Sequence, residues 1–136
     1  MLDVRPARFR HWTVPAFGVW NLVVWLTRAR NLASDDTLSS ASRAAWFVPV
    51  VVFCAGGVLC LVAYWKGREA YAMPIKAFAL GASLYWLVRA VVVLFGEHNA
   101  GFKVVHALLA LLTIVVAGQL LRVQRRVEMV PQGAFL

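Results

Sequence analysis

Four long apolar runs, at about 12–28, 44–65, 75–96 and 102–121, are separated by short polar segments. The last three reach the roughly 20 residues that a helix needs to cross a bilayer. The second, AAWFVPVVVFCAGGVLCLVAYW, carries no charge, and Trp46 at one end with Tyr64 and Trp65 at the other match interfacial aromatic belts. The third has Lys76 at its edge and one charge in its interior, Arg89, and the fourth contains His106 and Gln119. β-Branched residues are abundant, yet the strict apolar–polar alternation of membrane-barrel strands is absent. The pattern predicts an all-α integral membrane bundle of four transmembrane helices. Its short loops favour antiparallel packing of sequence neighbours.

The first run is the weakest, because it carries Pro15 and Asn21 and only approaches the lower length limit of about 17 residues. If all four runs cross, Arg5, Arg8, Arg10, Lys66, Arg68, Lys76, Arg122, Arg125 and Arg126 share one side. Only Arg28, Arg30, Arg43 and Lys103 lie on the other, with Asp35, Asp36 and Glu97 beside them. The positive-inside bias then places both termini in the cytoplasm. If instead the first run lies flat, with Trp12, Trp20 and Trp25 at the interface, the count becomes seven against six and no longer orients the chain. A cleavable signal segment is disfavoured because Arg28 and Arg30 follow the run directly and the small-residue pattern before a cleavage site is poor. The expectation is a single domain over 1–136 in a bacterial cytoplasmic membrane, with basic tails at 1–11 and 122–136.

Composition sharpens this picture. The chain is 62% hydrophobic and only 15% charged, against about half and a quarter in globular domains. Its net charge of +8 is the kind of excess that can mark nucleic-acid binding. Here the basic residues flank apolar runs and leave no soluble domain to hold a duplex, so no nucleic-acid partner is expected. Cys54 and Cys60 fall in one run, separated by roughly 9 Å of helical rise, too far for a mutual disulfide.

The candidate chemistry gathers at the expected outer pole. Arg89 is an ionised group inside a span, and such groups face protein or water and mark functional sites or structural anchors. His106, one turn into the fourth run, falls at a similar depth, and Glu97 and His98 lie in the GEHNAG turn between them. Read structurally, Arg89, His106, His98 and Glu97 form an ion-pair cluster tying the third helix to the fourth and to the first loop. Read functionally, they receive an anion, a lipid head group or a proton. No third strong ligand stands at a metal-site spacing, and two facing haem histidines are missing, so neither a metal nor a cofactor is expected. No nucleophile–base pairing points to an enzyme.

Small residues at helical spacing predict close packing: Gly56 with Cys60, Ala79 with Ser83, and Ala110, Thr113 and Ala117 below Lys103 and His106. Asn21 shares a helix face with Gly18, Trp25 and Arg28, which predicts that its amide turns toward protein. The stretches WNLVVWLTRARN and GFKVVHALLALLTIV resemble parts of uncharacterised small multi-span membrane proteins of high-GC bacteria and their phages. The resemblance implies roles such as a holin-like lysis helper or a factor excluding a second infection. The functional expectation is a small non-enzymatic membrane protein, homo-oligomeric or docked to a larger membrane complex. The alternative is a small carrier or channel with an outer-side anion or proton site using Arg89 and His106.

Overall fold

The computed structural model describes Phe9 and residues 11–128. Arg5, Arg8 and Arg10 of the expected basic tail, and everything from 129 onward, lie outside the described residues. The described chain forms α1 (Thr13–Ala33), α2 (Ser40–Lys66), a short 3-10 turn (Glu69–Tyr71), α3 (Ala72–Phe95) and α4 (Ala100–Glu128). Three segments, Ser40–Lys66, Glu69–Phe95 and Ala100–Arg126, are long and apolar enough to cross a membrane. The fold is all-helical, as the pattern predicts.

The helices overrun the apolar runs because their ends carry their own signals. Ser39 caps α2 by accepting a hydrogen bond from the Ser42 amide at 3.2 Å, and Asn99 caps α4 by accepting from the Phe102 amide at 2.9 Å. Gly67 ends α2 in the left-handed conformation, φ 57°, with its amide donating to the Ala63 carbonyl. A side chain is disfavoured there, so glycine supplies the stop. α4 does not end at the apolar boundary. It continues through RVQRRVE, so the first part of the expected C-terminal tail is helix. Arginine, glutamine and glutamate are good helix formers, and they extend the helix once it is nucleated.

α1 packs chiefly on α2 and α3 chiefly on α4, giving two hairpins that meet along α1 and α4, while the α2–α3 seam is the thinnest. Successive helices are antiparallel. Gly18 faces Gly57, Trp25 stacks on Phe53 at 4.3 Å, and Trp86 lies beside His106. Across the diagonal, α1 and α3 run parallel, with Phe17 against Phe78 and Trp25 against Tyr85.

Small residues and aromatics make up much of the interior, and Val and Leu much of the exterior. Gly56 fits against the Phe78 ring, and Cys60 lies beside Gly18. Ala79, Ala110, Thr113 and Ala117 are buried, and Ser83 donates to the Ala79 carbonyl of its own helix. The small-residue stripes thus sit inside the bundle. Val51, Leu84 and Leu111 stand exposed on α2, α3 and α4, as do Val19, Val23 and Leu26 on α1. Such an inside-out distribution suits a lipid surround.

Asn21 is buried, as its face predicts, but its amide makes no interhelical bond. Nδ2 donates to the Phe17 carbonyl one turn back in α1 at 2.8 Å, and Oδ1 has no partner. Trp20 makes the interhelical bond instead, its indole N–H donating to Thr113 Oγ1 at 2.8 Å.

Candidate functional site

The up-down topology brings the α1–α2 and α3–α4 turns to one end of the bundle, the hairpin pole. Arg28 lies about 8 Å before the end of α1, Arg89 about 9 Å before the end of α3, Trp46 about 9 Å into α2 and His106 about 9 Å into α4. Four helices therefore present these groups at one depth. At this pole lies a cleft of about 470 Å³ that these four residues line together with Trp25, Tyr85 and Trp86.

Trp46 organises the charge. The Arg28 guanidinium carbon lies 5.8 Å and that of Arg89 5.7 Å from the centre of the same indole ring. Both fall within cation–π range. Among the described residues neither arginine forms an ion pair, and the cleft lining contains no carboxylate. Two positive charges from different helices are thus held together with no carboxylate in ion-pair contact among the described residues.

The histidine adds a third polar group. His106 Nδ1 lies 2.9 Å from the Phe102 carbonyl oxygen. A carbonyl can only accept, so Nδ1 carries the hydrogen and Nε2 is the nitrogen left to titrate or to meet a ligand. The ring is fixed from one side by Phe102, 4.0 Å away. Asn31 and Asn99 add amides to the lining. The aromatic floor is Trp25, which contacts Phe53, Tyr85 and Trp86 and is 5% exposed, its indole N–H lacking an acceptor.

The structure brings together Arg89 and His106 but leaves out Glu97 and His98. Both of these are exposed, and neither lines the cleft; α3 stops at Phe95, and the turn through Gly96 carries them outward. His98 rests on Phe102 at 4.7 Å. The expected ion-pair cluster is absent among the described residues. The Asp35 carboxylate accepts from the Thr37 amide and hydroxyl, and Arg43 reaches the Asp35 backbone carbonyl instead, at 2.7 Å. A carboxylate satisfied within its own turn has little to gain from a distant arginine.

Sequence reading missed Arg28 and Trp46. Arg28 reads as an ordinary flanking cation, and Trp46 as an interfacial anchor. The available signal was periodicity, since Arg28 lies on the helix face of Asn21 and Trp25, which points inward.

Chemically the cleft offers positive charge, hydrogen-bond donors and an aromatic wall. Among the described residues no three His, Cys, Asp or Glu side chains gather as metal ligands, and Cys54 and Cys60 are free thiols. No protein-family model matches the chain, nor does any curated protein or solved structure.

Proposed function

We propose that the chain is a four-span, non-enzymatic protein of a bacterial cytoplasmic membrane that binds an anionic group in the hairpin-pole cleft, as a receptor or small carrier. The observation that carries this reading is the pair Arg28 and Arg89, from different helices, lining one cleft beside Trp46 with no carboxylate in its lining. Guanidinium groups match oxyanions in shape and charge. His106 would then contribute a pH-sensitive donor.

Four spans are supported by α1 itself. It has 21 residues, about 31 Å of helix, and lies antiparallel along α2 from Gly18·Gly57 to Arg28·Trp46. A helix packed against a spanning neighbour at both of these points lies alongside it. Its lower hydropathy is offset by partners inside the bundle. With four spans, the positive-inside count turns the hairpin pole outward and both termini inward.

Two measurements test the reading. Single cysteines at Thr37 and at Arg68, in a chain with Cys54 and Cys60 replaced by alanine, report sidedness: an impermeant maleimide should label position 37 in intact cells and spare position 68. Inorganic phosphate or pyrophosphate should raise the melting temperature of the detergent-solubilised wild type and not that of Arg28→Gln/Arg89→Gln. Labelling only at position 68, or equal stabilisation of both proteins, would reject it.

Self-association remains a second reading, favoured by Ala77 and Gly81. They line an outward groove between α2 and α3, and a Cβ at Gly81 would meet nothing within 4 Å. Crosslinking through a cysteine at position 81 in native membranes tests it. Dimer at low expression supports this reading, and monomer at every expression level rejects it.

A further inference from the structure

The anion reading leaves open where the anion comes from, and the depth and shape of the cleft bear on this. α3, at 24 residues, is about 36 Å long, a few ångströms longer than the hydrocarbon core of roughly 30 Å. Arg28, Trp46, Arg89 and His106, some 8–9 Å from the helix ends, therefore lie just inside the apolar boundary. Tryptophan prefers this zone, and Trp46 occupies it.

Two arginines at this depth without a protein counter-ion are costly unless they meet water or an anion. The anions a bilayer itself supplies near this level are the phosphates of its lipids. The lining includes an outward-facing side chain of α4, Val105, and this gives the cleft access from the side. On its rim, Val105 is 53% exposed and, with Val24 and Leu109, gives the cleft an apolar lower lip. One turn below Val24, the Trp20–Thr113 hydrogen bond joins α1 to α4 beneath the cleft.

We infer that the cleft is a lipid-phosphate site. The phosphate of an anionic amphiphile from the leaflet at the hairpin pole sits between Arg28 and Arg89, and its apolar part lies over Val24, Val105 and Leu109. The Asn31 and Asn99 amides can donate to the remaining phosphate oxygens, and His106 Nε2 can do so once the ring takes up a proton. This inference rests on the reading of the cleft as an anion site and adds the class of molecule that carries the anion.

The test uses the full chain in mixed micelles containing phosphatidylglycerol and phosphatidylcholine, with retained lipid read by native mass spectrometry and stability by thermal melting. Wild type should keep one phosphatidylglycerol in preference to phosphatidylcholine. Arg28→Gln/Arg89→Gln should bind it at least about tenfold more weakly, since charged hydrogen bonds are lost. Arg122→Gln/Arg125→Gln, at the opposite pole, should bind as wild type. If the glutamine pair fails to fold, Arg28→Lys/Arg89→Lys serves instead, and it too should weaken binding because bidentate geometry is lost.

Equal lipid retention by wild type and the cleft variants overturns the inference. If inorganic phosphate stabilises wild type through the two arginines while no lipid is retained selectively, the lipid inference falls and the anion reading stands. If neither lipid nor phosphate depends on the arginines, both fall.

Discussion

Gly18 on α1 and Gly57 on α2 meet backbone to backbone. A Cβ added at Gly18 would lie 2.8 Å from the Gly57 carbonyl oxygen, and one added at Gly57 would lie 2.9 Å from that of Gly18. Gly57→Val must therefore push α1 off α2, since main-chain atoms cannot rotate away. The expected loss is about 1–3 kcal/mol, read as a lowered melting temperature in micelles. Gly118→Ala is the control: its Cβ meets nothing within 4 Å, so the protein should be unchanged or gain up to roughly 1 kcal/mol from helix propensity.

Thr113 both donates to the Leu109 carbonyl and accepts from the Trp20 indole, each at 2.8 Å. Thr113→Val keeps the shape, removes the acceptor and leaves a buried N–H unpaired. A loss of about 1–2 kcal/mol is expected. In a double-mutant cycle with Trp20→Phe, the two substitutions together should cost less than the sum of their separate effects.

Trp46 holds two guanidinium groups at once. Trp46→Leu removes both cation–π contacts, so a loss of roughly 1–2 kcal/mol is expected, from about 0.5–1 kcal/mol for each contact. Trp46→Phe should recover part of it. A variant pair that melts identically would show that the ring does not hold the arginines.

Gln124 is fully buried, and neither end of its amide has a hydrogen-bond partner among the described residues. Such a group costs about 1–3 kcal/mol. Gln124→Leu, which retains volume and removes the polar atoms, should raise the melting temperature. A drop would mean that the amide finds a partner.

The Thr37 hydroxyl, then the Thr37 amide, hold the Asp35 carboxyl below its ordinary 3.8, with Arg43 and Arg28 adding smaller pulls in the same direction. A depressed carboxyl contributes stability that is complete above its unfolded value and is lost as pH falls through its folded one. The first loop should therefore loosen only below pH 3.8. In Thr37→Val the Asp35 carboxyl should titrate closer to 3.8, which a carbon NMR titration of that side chain would record.

Much of the fold is legible in the sequence because lipid leaves a strong imprint: uncharged runs, flanking cations and belts of tryptophan. The helix ends are finer signals carried by single residues, Ser39, Gly67 and Asn99, while RVQRRVE extends α4 by propensity rather than by hydropathy. Of the candidate site, Arg89 and His106 stand out because charge and imidazole are rare in apolar runs. Their partners do not stand out. Arg28 and Trp46 approach Arg89 only after three helices pack, and that packing is set by glycines and aromatics whose pairing no local pattern specifies. Glu97 and His98 mislead for the converse reason, since adjacency in sequence ends where α3 stops.

The bond between Trp20 and Thr113 joins residues 93 positions apart, and that separation is also a delay. At roughly 5–20 residues per second of synthesis, the acceptor for the Trp20 indole emerges about 5–20 s after the donor. During that interval α1 has α2 beside it but the side that meets α4 is still uncovered. The arrival of α4 seats it. α1 is thus made before α2, α3 and α4 yet fastened only by the last of them, and the cleft that depends on α1 and α4 exists only once α4 has been made.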